Sequence, residues 1–165
     1  MLLAERYLKK KIGPLKARHG RIRFAGRRDR LSSSLIRTIE EAEENTKNET
    51  GIQFIVCVDY GGRQEIVDAV KKIVASGTPP ESVTEKMLSE HMYLPDVPEP
   101  DLIIRKSGEE RLSNFWLWTG TYSELFFTDT LWPDFGKEDL QTAIASYSGR
   151  QRRKGGRPAA PAEEL

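Results

Sequence analysis

The chain has 165 residues, 26 Lys and Arg against 25 Asp and Glu, and 38% hydrophobic residues, which suits one soluble globular domain with a real core. Its net charge of +1 supplies no global field for nucleic acid or an acidic membrane, so anion binding must come from local clusters. One cysteine, Cys57, excludes an internal disulfide, and two histidines, His19 and His91, without Cys partners at zinc spacing, exclude structural zinc. No apolar run approaches the roughly 18 residues of a membrane span, and Glu5 and Arg6 come too early for a secretory leader. A cytoplasmic location is the expectation, with a peripheral membrane position left open.

In chain order, Leu3, Tyr7, Leu8, Ile12 and Leu15 recur at helical spacing, and Gly13-Pro14 is expected to interrupt or kink that helix. Arg21 to Gly26 alternates polar and apolar and reads as a short strand. Ser32 to Ser34 offer N-caps for a helix whose apolar face is Leu35, Ile36, Ile39 and Ala42 and whose wet side carries Glu40, Glu41, Glu43 and Glu44. Phe54 to Val58 is a continuous β-branched run, expected to be a strand buried on both faces with an inert packed Cys57 inside it. Gly61-Gly62 then opens a helix traced by Ile66, Val67, Val70, Ile73 and Val74, which Thr78-Pro79-Pro80 breaks. Ser82 to Glu85 has the capping-box pattern of a further short helix through His91. Leu102 to Ile104 is a third strand, Asn114 to Thr121 a helix-like apolar run, Leu125 to Phe127 a fourth strand, and Lys137 to Tyr147 a last helix. Trp118 and Trp132 read as core and interface aromatics.

Strands alternating with helices predict an α/β fold with a mostly parallel sheet flanked by helices. Residues 1–148 read as one domain without internal repeats. The remainder, 149–165, is basic and then acidic, and is expected to be flexible. In such sheets ligands lie beyond the carboxyl ends of the strands, which directs attention to Arg105-Lys106-Ser107-Gly108-Glu109-Glu110-Arg111-Leu112-Ser113-Asn114-Phe115. Two arginines, a hydroxyl, a glycine and a following helix start would cradle a diphosphate. The same residues also allow a solvated loop in which Arg105 and Arg111 pair with Glu109 and Glu110. A third possibility, nucleic-acid binding through Arg150, Arg152, Arg153, Lys154 and Arg157, is disfavoured by the near-neutral charge.

That loop, followed by Tyr122-Ser123-Glu124-Leu125-Phe126-Phe127-Thr128-Asp129-Thr130-Leu131-Trp132-Pro133-Asp134-Phe135, closely resembles the signature of the cis-prenyltransferases, the family of undecaprenyl diphosphate synthase. Arg23 to Gly26, Tyr60 to Val67, and Tyr93-Leu94-Pro95 before Pro100-Asp101-Leu102 fall in the family's order. The resemblance implies condensation of isopentenyl diphosphate with an allylic diphosphate, forming a cis double bond, with magnesium. It implies that Arg105, Arg111 and Ser113 hold the isopentenyl diphosphate and that Glu124 helps bind magnesium. Arg153-Lys154-Gly155 matches the family's Arg-x-Gly motif, which places Arg153 and Gly155 in the same substrate site across a dimer interface. A partner of an arginine is the plainer reading of Glu124, and a solvated basic tail the plainer reading of Arg153 to Gly155.

The family's Asp-Gly-Asn-Gly-Arg-Trp segment, with its catalytic aspartate, has no counterpart here, nor does its Ser-Thr-Glu-Asn-Trp segment. No catalytic residue is therefore assigned, and the chain is expected to hold the isopentenyl half of the site and to turn over weakly or not at all alone. The resemblance further implies a homodimer, or a heterodimer with a full-length homologue, touching membrane only through its lipid product. The alternative is a non-catalytic accessory subunit, against which the retained arginine-serine loop counts. Lys106 stands where the family usually has threonine, Asp59 where it has asparagine, and Trp116 with Thr119 to Thr121 alters a helix of the family's dimer interface. A sheet edge left unpaired by the missing strands would favour low stability or association.

Overall fold

In a computed structural model the described residues are 2–152, the side chains of 2–5, 7, 9 and 11 excepted. The chain divides between Val97 and Pro98 into two compact units. The first holds α1 (Leu2–Lys16), β1 (Arg21–Ala25), α2 (Ser33–Thr46), β2 (Gln53–Cys57), α3 (Gly62–Ala75) and α4 (Glu85–Glu90); the second holds β3 (Leu102–Arg105), β4 (Glu124–Phe127) and α5 (Lys137–Ser148). Both units pair their strands in parallel, β1 with β2 and β3 with β4.

In the first unit the core forms where the apolar stripe of α2 meets β1. Leu35, Ile39 and Ala42 pack with Ile22, Phe24 and Leu8, and Ile12, Leu15, Leu31, Val56 and Val58 surround them. Ser32 caps α2, its Oγ accepting from Leu35 N at 3.3 Å. Gly26, at φ 125°, lets the end of β1 close on β2, where a Cβ would sit 2.0 Å from Val58 O.

The edge of β1 away from β2 is closed by side chains of α2. Thr46 Oγ1 accepts from Ile22 N at 3.1 Å and donates to Ala42 O at 2.9 Å, while Glu43 Oε1 accepts from Phe24 N at 3.0 Å. A strand edge normally exposes such N–H groups to other chains. Thr46→Val keeps the volume but orphans the buried Ile22 N–H, so urea unfolding should show a loss of about 1–3 kcal/mol.

Arg23, also on β1, grips Asp96 with two bonds of 2.5 and 2.8 Å. The Arg23 hydrogen bond, opposed by partial burial, holds the Asp96 carboxyl below its usual range. A folded-state value below the unfolded one contributes stability above about pH 4 that is lost as pH falls through the lowered value. Asp96→Asn should accordingly flatten the fall in stability below about pH 4.

Several expectations need correction. α1 is not interrupted at Gly13-Pro14 and continues to Lys16: Pro14 forfeits only its own N–H, and Ala17 N still donates to Gly13 O at 2.9 Å across it. β2 is not buried on both faces: Phe54 is 54% exposed and Cys57 is half-buried, since α1 and α2 pack over β1 rather than β2. α4 is capped by Thr84, whose Oγ1 accepts from Met87 N at 3.1 Å, rather than by Ser82.

No helix forms over 114–121, which winds in turns. Ser113, Asn114 and Trp116 have φ of 48°, 64° and 48°, left-handed values incompatible with a right-handed helix. Gly120 closes this winding: its N donates to Trp116 O at 2.8 Å, and a Cβ there would lie 2.5 Å from the same oxygen.

Candidate functional site

β3 and β4 carry two of the residues that sequence reasoning singled out, Arg105 and Glu124. Leu102 lies opposite Glu124 and Arg105 opposite Phe127, so Arg105 stands at the carboxyl end of the strand pair and Glu124 at its amino end. Three residues at roughly 3.3 Å each separate these ends by about 10 Å. The fold of this unit therefore does not bring Glu124 beside Arg105.

At the carboxyl end, Arg105 is half-buried, and its Nε is buried without a hydrogen-bond partner among the described residues. A buried guanidinium donor left unpaired is rare and costly unless a ligand completes it. Phosphate oxygens, which match the guanidinium fork, are the natural acceptors. Ser107 and Gly108 turn left-handed here, at φ 70° and 67°. Their N–H groups are spent on the strand extension, Ser107 N to Thr130 O and Gly108 N to Thr128 O, both 3.1 Å. With no helix at 114, the expected contribution of helix N–H groups also falls away. Ser107 and Gly108 therefore offer no free backbone N–H to a ligand.

The other predicted residues are distributed unevenly. Arg111 is exposed and pairs with Glu109, as the solvated-loop alternative anticipated for that residue, while Arg105 makes no such ion pair among the described residues. Ser113 is exposed on its left-handed turn. Arg153 and Gly155 lie outside the described residues.

Sequence reasoning missed the environment of Lys106. Its Nζ lies 3.0 Å from the Trp132 ring centroid and 4.7 Å from that of Phe135, a cation–π arrangement; burial pushes its pKa down. Trp132 is 75% exposed, a platform for Lys106 rather than a core aromatic. The only sequence signal was a lysine one strand-end away from a Trp-Pro-Asp-Phe run, which spacing alone does not join.

At the amino end, Glu124 is held by Arg150, whose Nη1 donates to Glu124 Oε2 at 2.8 Å. Among the described residues no group of three or more His, Cys, Asp or Glu could hold a metal ion. Taken with the committed Glu124 carboxylate, the described residues do not by themselves fit a magnesium site.

Residues 1–155 match the prenyltransferase family described as "Putative undecaprenyl diphosphate synthase". The chain belongs to this family. It is 45% identical over 148 residues to the isoprenyl transferase of Neisseria gonorrhoeae, covering 90% of this chain and 59% of that one. It is 46% identical over 153 residues to the trans,polycis-polyprenyl diphosphate synthase ((2Z,6E)-farnesyl diphosphate specific) of Thermobifida fusca, covering 90% and 54%. Among solved structures, lavandulyl diphosphate synthase from Lavandula x intermedia, in complex with dimethylallyl diphosphate, superposes with a TM-score of 0.85 at 37% identity, covering 90% of this chain and 66% of that one. The chain thus spans between half and two thirds of the length of these relatives. The α/β fold read from the sequence is that of the prenyltransferases. Among the described residues no helix is long and apolar enough to cross a membrane.

Proposed function

We propose that this prenyltransferase-family chain carries the isopentenyl diphosphate half of a cis-prenyltransferase site of the undecaprenyl diphosphate synthase type. Arg105 holds the diphosphate, with Arg111 released from Glu109 and Ser113 joining it when the ligand arrives, and Arg153 and Gly155 completing the same site. The observation that carries this reading is the buried, unpaired Nε of Arg105 at the carboxyl end of β3. The retained loop sequence around it and the similarity to polyprenyl diphosphate synthases support it.

The reaction is condensation of isopentenyl diphosphate with an allylic diphosphate. The allylic diphosphate must leave as the carbon–carbon bond forms, and positive groups stabilise the charge that develops on its oxygens. This chain's part is to hold and orient the isopentenyl partner for attack. Glu124, held by Arg150, is the one carboxylate of this chain that the family resemblance would offer to magnesium. Because the described residues form no cage for the ion, the chemistry assigned to them is diphosphate holding alone. The working form is a homodimer, or a heterodimer with a full-length homologue, in the cytoplasm, with membrane contact limited to the lipid product.

The test is incorporation of labelled isopentenyl diphosphate into extractable prenyl products, with magnesium and allylic diphosphates of several lengths. The expected result is little or no elongation by the chain alone. Products formed on adding a full-length homologue above that homologue's own output would support the half-site. Robust elongation by the chain alone would overturn it.

A further inference from the structure

Asp101 and Glu124 lie side by side at the amino ends of β3 and β4, Glu124 N donating to Asp101 O at 2.9 Å. Both carboxylates are gripped by arginines that follow α5. Arg150 Nη1 donates to Glu124 Oε2 at 2.8 Å, and Arg152 Nη2 lies 2.5 Å from Asp101 Oδ1. Arg152 also donates to Tyr147 Oη at 2.7 Å, and its guanidinium carbon is 5.5 Å from the Tyr147 ring centroid. Two consecutive basic positions of one face thus meet two carboxylates brought together by strand register, while Tyr147 fixes the second arginine from below.

We propose that Arg150 and Arg152 form a two-pronged latch that docks the start of the chain's own basic C-terminal segment on the amino ends of β3 and β4. The latch engages Glu124 Oε2, so a cation at that oxygen competes with Arg150. The inference deepens the functional reading above, since Glu124 and the segment leading to Arg153 belong to both. Its test needs neither substrate nor turnover, so each can fail without the other.

The four side chains are partly exposed, with 37% and 27% exposure in the first pair and 34% and 63% in the second. Ion pairs of this exposure are individually weak and screened by salt. Two of them with an aromatic support make a contact that closes at low ionic strength and opens readily, as a latch must.

The experiment is limited trypsin digestion, following cleavage after Arg150 and Arg152. The double substitution Glu124→Gln and Asp101→Asn removes the docking carboxylates and leaves every trypsin site intact. Cleavage should accelerate roughly three- to tenfold, the effect of losing two exposed ion pairs, with unchanged circular dichroism. Raising sodium chloride from about 20 mM to 500 mM, with trypsin activity corrected on a small peptide, should accelerate the parent likewise and leave the double variant unaffected. The salt arm needs no variant to fold. Equal cleavage rates for parent and folded variant, or a parent rate indifferent to salt, would overturn the latch.

Discussion

Replacing Arg105 with alanine is expected to weaken isopentenyl diphosphate binding on the order of 10- to 100-fold, the worth of about 1.5–3 kcal/mol for hydrogen bonds to a charged group. The size of the effect follows from burial: the guanidinium is partly removed from water, so its attraction for a diphosphate is screened less than that of a surface arginine. Stability should respond differently. Arg105 Nε has no hydrogen-bond partner among the described residues, so alanine orphans no acceptor there, and the unfolding midpoint should hold while affinity falls. Arg111→Ala should cost less, because its exposed guanidinium must first leave Glu109. Titration calorimetry of the two variants, alongside thermal unfolding, separates a ligand contact from a structural one.

The largest effect on folding is expected at Ile39, 1% exposed in the cluster formed by Leu8, Ile22, Phe24, Leu35 and Ala42. Ile39→Ala removes three carbons from a site enclosed by α1, α2 and β1 and should cost about 2–5 kcal/mol. Against a total stability of roughly 5–15 kcal/mol, that is enough to populate unfolded chain at physiological temperature. Urea unfolding would show a lower midpoint with little change in slope. Ile52, 70% exposed, is the control, and its alanine variant should stay within about 0.5 kcal/mol of the parent.

The elements that dominate folding were legible because local chemistry and burial agree. Ser32 followed by Leu35, Ile39 and Ala42 reads as a capped amphipathic helix, and α2 is that helix. Arg21 to Ala25 alternates because one face of β1 meets α2. Legibility failed where tertiary geometry overrides local pattern. The apolar spacing from Asn114 to Thr121 suits a helix, but Ser113, Asn114 and Trp116 adopt left-handed φ. Phe54 to Val58 has the composition of a central strand, yet α1 and α2 cover β1 rather than β2.

The site shows the same division. Arg105 was singled out because it ends a strand before a polar loop, a position where ligands collect in parallel sheets, and the structure does place it at the end of β3. The separation of Glu124 from Arg105 depends on strand register, which no motif records. Neither could the sequence join Lys106 to Trp132, or Arg150 to Glu124, since each pair is made by elements meeting at 26 residues' separation.

The most direct measurement is calorimetric titration of the purified chain with isopentenyl diphosphate, beside isopentenol and the Arg105→Ala variant. Saturable binding that needs the diphosphate and weakens at least tenfold in the variant is the predicted result. Absence of binding at millimolar ligand, or binding indifferent to Arg105, would contradict the assignment of this loop as the isopentenyl diphosphate site.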